Sequence, residues 1–314
     1  MLTRETVIWV ARETTLGTDP AMTSSNALLA YDVDIDIKGE KLERTVLRDT
    51  LSPISHVIGL KEVELTFKTE IKGNGLTGTL PAIPEIGVPL SGCAFNSGVY
   101  SGTTLVYSMV SAEDSINSLA FKVFLGSKNI HKILDAKGTV KFNLSAGQYG
   151  VAEWTFMGLY QAVISGTSPS LAGLGTTQPP IVYNSSFQIA GFSPVCSACE
   201  IDIANNVIRR DSLNAEFGVH SFRITGRTPS MSFDADAVAE SSNPFWGDWS
   251  GDIVDTYSIQ VGSTAGNIIK MNGTFQYDSN KYGDQDGVRK YDCVASLVSS
   301  TVNSTNDELT ITFI

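Results

Sequence analysis

The sequence predicts an all-β chain built as two tandem antiparallel β-sandwich or barrel domains, each with a short flanking helix. Three observations carry this. Tyr31-Asp32-Val33-Asp34-Ile35-Asp36-Ile37-Lys38 and Glu62-Val63-Glu64-Leu65-Thr66-Phe67-Lys68 alternate apolar and polar residues with period two, the signature of half-buried strands. Gly, Ser and Thr are abundant and long stretches of helical periodicity are absent. Short patterns of the first half return in the same order in the second.

Taken in order, the chain opens with a short strand-like run inside an extended arm, residues 3–26, with a turn at Gly17-Thr18-Asp19-Pro20. The alternating strand from Tyr31 is expected to stop at Gly39, with a second extended segment over 42–51. A loop follows at 53–59, because Pro53 cannot donate a ladder hydrogen bond. Residues 62–71 form the next strand, closed by Gly73-Asn74-Gly75. The proline-rich piece 81–90 suits a short helical turn on a sheet flank. Strands are expected over 103–110, 118–125, 130–135, 138–144 and 152–160, separated by Gly, Ser and Asn turns. The Ser/Gly/Thr-rich stretch that follows reads as a linker. The expected division is therefore 1–164, a linker at 165–179, and 180–314.

The second half echoes the first. Ile201-Asp202-Ile203 answers Ile35-Asp36-Ile37, Arg210-Asp211-Ser212-Leu213 answers Arg48-Asp49-Thr50-Leu51, and Met231-Ser232-Phe233 answers Leu65-Thr66-Phe67. Asn243-Pro244-Phe245-Trp246-Gly247-Asp248-Trp249 stands in the place of the proline-rich helical piece. Gly273-Thr274-Phe275-Gln276-Tyr277 answers Gly138-Thr139-Val140-Lys141-Phe142, and residues 288–297 stand for 151–159. The tail from Glu308 adds a last strand.

Net charge is −11, with 14 basic and 17 acidic residues up to Ser165 and 8 and 16 after it. That balance argues against a groove gripping nucleic acid, which needs clustered Lys and Arg, though not against DNA passing by. The N-terminal apolar run is too short for a signal peptide, and no stretch approaches a membrane span, so the expectation is a protein made and kept in a cytoplasm with no membrane partner. The four cysteines make no disulfide framework in a chain this long.

Candidate chemistry is sparse, and an enzyme, a metal or a cofactor is not expected. Cys196-Ser197-Ala198-Cys199 has CxxC spacing but no second ligand pair. His56, His131 and His220 are scattered without a catalytic partner pattern. Residues 278–287 resemble a calcium loop until Tyr282 and Arg289 fall where ligands are needed. Lys72-Gly73-Asn74-Gly75-Leu76-Thr77-Gly78 lacks a P-loop lysine and reads as a turn. Phe245, Trp246 and Trp249 could form a carbohydrate platform, which keeps a monomeric carbohydrate-binding or adhesin-like module as the alternative; a β-rich hydrolase would need convergent carboxylates.

The strand-loop-strand unit 33–71 with Gly73-x-Gly, the piece ending Leu90-Ser91-Gly92-Cys93-Ala94-Phe95, the run Lys137-Gly138-Thr139-Val140-x-Phe142-x-Leu144-Ser145-Ala146-Gly147 and Phe156-x-Gly158-Leu159-Tyr160 together resemble the major tail tube proteins of long-tailed, siphovirus-like bacteriophages over residues 1–162. Gly92 stands near the place where that family usually has an Arg. The resemblance implies a non-enzymatic virion protein, assembled in the host cytoplasm, whose tail-tube-like domains close into stacked rings around a channel for DNA. Its partners would be itself, other tail proteins at the tube ends, and double-stranded DNA in passage. Rings of six tube domains imply three two-domain chains with approximate sixfold symmetry. Within that picture Asp32, Asp34, Asp36, Glu62, Glu64, Glu200, Asp202, Asp234 and Asp236, placed by alternation on polar strand faces, are candidates to line the channel. Leu51, Pro53, Ile54, Val57, Ile58, Leu213 and Phe217, apolar or stiff residues in loops leaving those strands, are candidates to stack ring on ring.

Overall fold

Alternating residues become strands with one face buried in the computed structural model, which describes residues 5–75, 83–169, 174–303 and 306–314. β1 (Thr6–Arg12) turns Ile8 and Val10 inward, and the two-residue β2 (Ala27–Leu28) pairs with it. β3 (Tyr31–Leu42) and β4 (Val57–Glu70) form a long hairpin in which Ile35 lies opposite Leu65 and Asp36 opposite Glu64. Gly39 does not end β3. The strand absorbs it in a register irregularity between Gly39 and Lys41 and runs on to Leu42, because the opposing strand is long enough to keep pairing. The expected segment 42–51 is therefore not a strand beyond Leu42. Val57 and Ile58, expected in the loop, are strand residues opposite Leu42 and Lys41.

The helical turn α1 (Gly87–Ser91) ends the proline-rich piece, of which Pro81 and Ala82, like Met1 to Arg4 and Leu76 to Gly78 of the P-loop look-alike, lie outside the described residues. Gly92 is required there: a Cβ would come within 2.6 Å of Leu119 Cδ1 and 3.1 Å of the Phe156 ring. A guanidinium does reach this turn, from β1, where Arg12 Nε donates to Ser91 Oγ at 2.9 Å. The hairpin β5 (Val99–Ser101) and β6 (Thr104–Ser108) leads to β7 (Leu119–Leu125), β8 (Asn129–Ser145) and β9 (Val151–Tyr160). β8 joins two strands expected to be separate. The break is a bulge between Leu134 and Lys137 where Asp135 takes φ 46° and its N–H donates to Glu13 Oε1 at 2.9 Å.

β10 (Ile164–Ser165) opens the expected linker, whose described parts are hydrogen-bonded along the first half: Gly166 N–H donates to Lys128 O and Gly175 N–H to Glu85 Oε1. Residues 170–173 of it lie outside the described residues. Then come β11 (Gln188–Ile189), β12 (Cys196–Asp202), β13 (Asn205–Asp211), β14 (Val219–Arg227), β15 (Ser230–Asp236), α2 (Phe245–Ser250), β16 (Val254–Val261), β17 (Ile269–Gln285), β18 (Val288–Leu297) and β19 (Thr310–Phe313). The calcium-loop look-alike is the end of β17 and the two-residue turn Asp286-Gly287, both at positive φ, as a tight hairpin demands.

Eight strands form one unbroken antiparallel path, β3–β4–β9–β8–β12–β15–β18–β17. Its middle joint is β8 to β12, with Phe142 opposite Ile201 and Lys141 opposite Asp202. A second layer covers its inner face. β2, β1 and β7 attach to the N-terminal part of β8, β11 and β16 to that of β17, and β19 bridges β17 to β6 and β5. Phe121 on β7 reaches across to Phe67 and Phe156, ring centres 6.0 and 4.8 Å away, and Trp154 Nε1 donates to buried Thr69 Oγ1 at 2.8 Å. Buried apolar residues of both halves form one continuous core.

The register keeps two of the echoes, since Ile35 lies opposite Leu65 as Ile201 lies opposite Met231. From Leu65 the path continues through Phe156 to Gly138, and from Met231 through Ala295 to Tyr277. Tyr277, not Gly273, thus occupies the place of Gly138, and the echo of residues 138–142 in 273–277 is out of step: glycine and aromatic spacing recur in strands for local reasons that do not fix register.

Candidate functional site

The polar face of the eight-strand path gathers the nine predicted carboxylates; Asp32, at φ 51° in a register irregularity at the start of β3, reaches it through Lys68, 3.6 Å away. Alternation does this directly: with Val63, Leu65, Phe67, Ile201, Met231 and Phe233 buried, their strand neighbours face away. Carboxylates that the sequence reading missed share the face, among them Glu153 opposite Lys68 and Asp292 opposite Asp234. Applying the same alternation to β9 and β18 finds them.

The face is acidic but interleaved with lysine. Lys38 pairs with Glu64, Lys68 with Glu153 at 3.1 Å, Lys141 with Glu200 at 2.7 Å and Lys290 with Asp234 at 2.8 Å. Lys68–Glu153–Lys141–Asp202 forms one cross-strand row. Glu62 is engaged by Arg209 of β13 at 3.2 Å. Asp34 and Lys281 make no ion pair within the chain among the described residues.

Asp234 is occupied structurally. β12 has an irregularity between Cys196 and Cys199, and the Asp234 carboxylate accepts the N–H groups of Ser197 at 2.9 Å and Ala198 at 2.6 Å, the Ser197 hydroxyl and the Lys290 ammonium. Burial pushes its pKa up, but these donors, Lys290 first, outweigh burial and hold it well below the usual carboxylate range. The CxxC pair belongs to this bulge. Cys196 donates to Ala198 O, and Cys199 is buried, its thiol pushed up by burial.

The loop candidates separate. Residues 43–56 stand clear of the sheet, with Leu51 fully exposed (104%), Pro53 exposed and Ile54 half-buried. Leu213 is exposed as expected (105%), but Phe217 is not a free loop residue. At φ 58° it packs edge-on against Tyr160, ring centres 5.2 Å apart, with Lys61 Nζ 4.8 Å from its ring centre. The cause is the fold-back of the β13–β14 hairpin onto the first half. Asn205 Nδ2 donates to Cys93 O and Gly138 O, Phe222 N–H to Asp135 Oδ2 at 2.7 Å, and Arg223 pairs with Glu113. Burial pushes the Asp135 carboxyl up to about 6.

The aromatic platform does not form from its three residues. Phe245 is core, 4.8 Å from the Tyr291 ring centre, while Trp246 Nε1 donates to Tyr282 Oη and Trp249 Nε1 to Asp278 O. The histidines lie on three separate elements: His56 in the 43–56 loop, His131 on β8 and His220 on β14. Among the described residues no group of three or more His, Cys, Asp or Glu could hold a metal ion, and no helix is long and apolar enough to cross a membrane.

Both ends of the eight-strand path are open edges. Among the described residues β3 pairs only with β4, and β17 beyond Gln276 pairs only with β18. Such edges invite another strand. No curated protein matches the sequence. The family described as Phage tail tube protein matches residues 3–288, nearly the whole chain. With an antiparallel β architecture open at both edges and a match of that extent, the chain belongs to the phage tail tube protein family, self-assembling, non-enzymatic structural components of the virion's tail tube.

Proposed function

We propose that this chain builds a siphovirus-like tail tube from rings of three copies, each supplying two tandem tube units, with the polar face of the eight-strand path turned to a DNA channel. One observation carries the reading: the order β3–β4–β9–β8 is followed in the same sheet by β12–β15–β18–β17, with matching register at Ile35–Leu65 and Ile201–Met231. Six tube units close a ring in the family this chain resembles, and three two-unit chains supply six. Edge-to-edge pairing of β12 with β8 favours a wall position for the second half over a decoration hung outside, since a decoration has no reason to extend the sheet. An acidic wall repels phosphate and leaves DNA free to slide, whereas a lysine-rich one would hold it. The exposed loops at 43–56 and around Leu213 contact the adjoining ring, and other tail proteins cap the tube ends. Image symmetry, or the mass of a cross-linked ring, tests the count: three chains are expected, and six would overturn the two-unit arrangement.

A further inference from the structure

The joint between β8 and β12 is a strand seam the chain makes with itself. It has Lys141 opposite Asp202, Phe142 opposite Ile201 and Leu144 opposite Cys199, and β12 occupies the edge of β8 beyond the part that β7 covers. The open end of β17 is the same kind of edge. β16 pairs with residues 269–276 of β17 on that side, and among the described residues no strand pairs there with the residues beyond.

Counting across the sheet gives the correspondence. Phe142 pairs with Ala152, which pairs with Thr69; Tyr282 pairs with Tyr291, which pairs with Ala235. Thr69 follows Leu65, and Ala235 follows Met231, by the same number of residues, so Tyr282 takes the place of Phe142 and Lys281 that of Lys141. At the other open edge Asp36 takes the place of Asp202, Ile35 that of Ile201 and Asp34 that of Glu200. Both β3 and β12 also begin with a register irregularity, between Tyr31 and Asp34 and between Cys196 and Cys199.

We propose that β17 of one copy receives β3 of a second copy, with Tyr282 opposite Ile35 and Lys281 opposite Asp36, so that Lys281 ion-pairs with Asp34 as Lys141 does with Glu200. This rests on the ring reading above and adds to it a register. Charge is complementary, since Lys281 and Asp34 lack ion partners within the chain among the described residues. Apolar surface is complementary too. Phe142 and Ile201 are fully buried at the internal seam, whereas Tyr282, held by Trp246, is 55% exposed and Ile37 41% exposed. The pair of half-buried Trp246 and exposed Tyr282 is thus the socket for the apolar side of β3 rather than a sugar platform. A register slip of one would turn Ile35 and Ile37 to the wrong face, so the pairing is strongly specified.

Zero-length carbodiimide coupling of the unmodified full-length chain, read by peptide mass spectrometry, tests this. Lys141–Glu200 should couple in monomer and tube alike, and Lys281 should couple to Asp34 or Asp36 only in assembled tubes. In parallel, D36C/K281C tubes under mild oxidation should convert most chains to a covalent ladder, with the single variants and K38C/K281C as controls. Tubes in which Lys281 couples to neither carboxylate, or in which K38C/K281C cross-links instead, overturn the register while leaving the tube reading intact. A ladder closing at six chains supports the seam and overturns the three-chain count.

Discussion

Two buried or half-buried carboxylates act in opposite directions on stability, and pH separates them. Asp135 sits in the β8 bulge with Glu13, Lys137 and Arg223 as its charged neighbours, and burial raises its carboxyl to about 6. The native state therefore binds a proton more tightly than the unfolded chain between about pH 4 and pH 6. Stability should fall as pH rises through that window and stay lowered above it. Asp135→Asn keeps the acceptor for Phe222 N–H and tolerates the positive φ, so it should remove much of that fall and raise stability at pH 7, by at most about 3 kcal/mol for a shift of this size. Glu13, raised by burial, leaves a residual slope. Thermal unfolding at pH 4, 5, 6 and 7 reads both effects; an unchanged slope would mean that Asp135 does not titrate there. Asp234 has the opposite sign. Its native pKa is depressed, so its contribution is present above about pH 4 and is lost as pH falls below. Asp234→Ala leaves the N–H groups of Ser197 and Ala198 without their acceptor and should cost about 2 kcal/mol at pH 7, with the gap to the native chain narrowing in acid. A gap independent of pH would assign the loss to packing.

The two hairpins that leave the polar sheet behave differently, and the difference lies in what each can reach. β13–β14 folds onto the first half and is fixed there by Asn205, Phe217, Phe222 and Arg223. Among the described residues the side-chain hydrogen bonds of the loop at 43–56 stay within the loop and its own hairpin. Because Leu42 and Val57 are directly opposite, replacing residues 43–56 by Asn-Gly should close β3 and β4 with a tight turn. The product should unfold within about 1 kcal/mol of the native chain, since exposed loops add little stability, yet fail to form long tubes. Normal tubes from this variant would remove the loop from ring stacking.

At the scale of the tube, the polar face should govern passage of DNA. Asp236 lies on it away from both the internal seam and the proposed seam between copies. Changing it to Lys in every copy should leave rings assembled but slow ejection, with retained DNA released by added salt as counterion competition requires. Ejection at the native rate by such tubes would put this face outside.

The sequence alone determined the strands, the alternation that sorts core from polar face, and the acidic character of that face, because each depends on residues two apart in one strand. It also marked, in order, pieces of β12, β13, β15, α2, β17, β18 and β19 but not β11, β14 or β16, and the resemblance in residues 1–162 pointed to the family that the chain belongs to. The tertiary structure decided what depends on residues distant in the chain. Gly39 lies inside a strand because β4 is long enough to pair past it, and the gap between two expected strands closes into the Asp135 bulge because β9 pairs with both. Asp234 holds a bulge, and Phe217 packs on Tyr160, because β12 and β13 are brought there by pairing of β12 with β8. Edge pairing is made by backbone groups that every residue carries, so no local pattern in the sequence announces which two edges will meet.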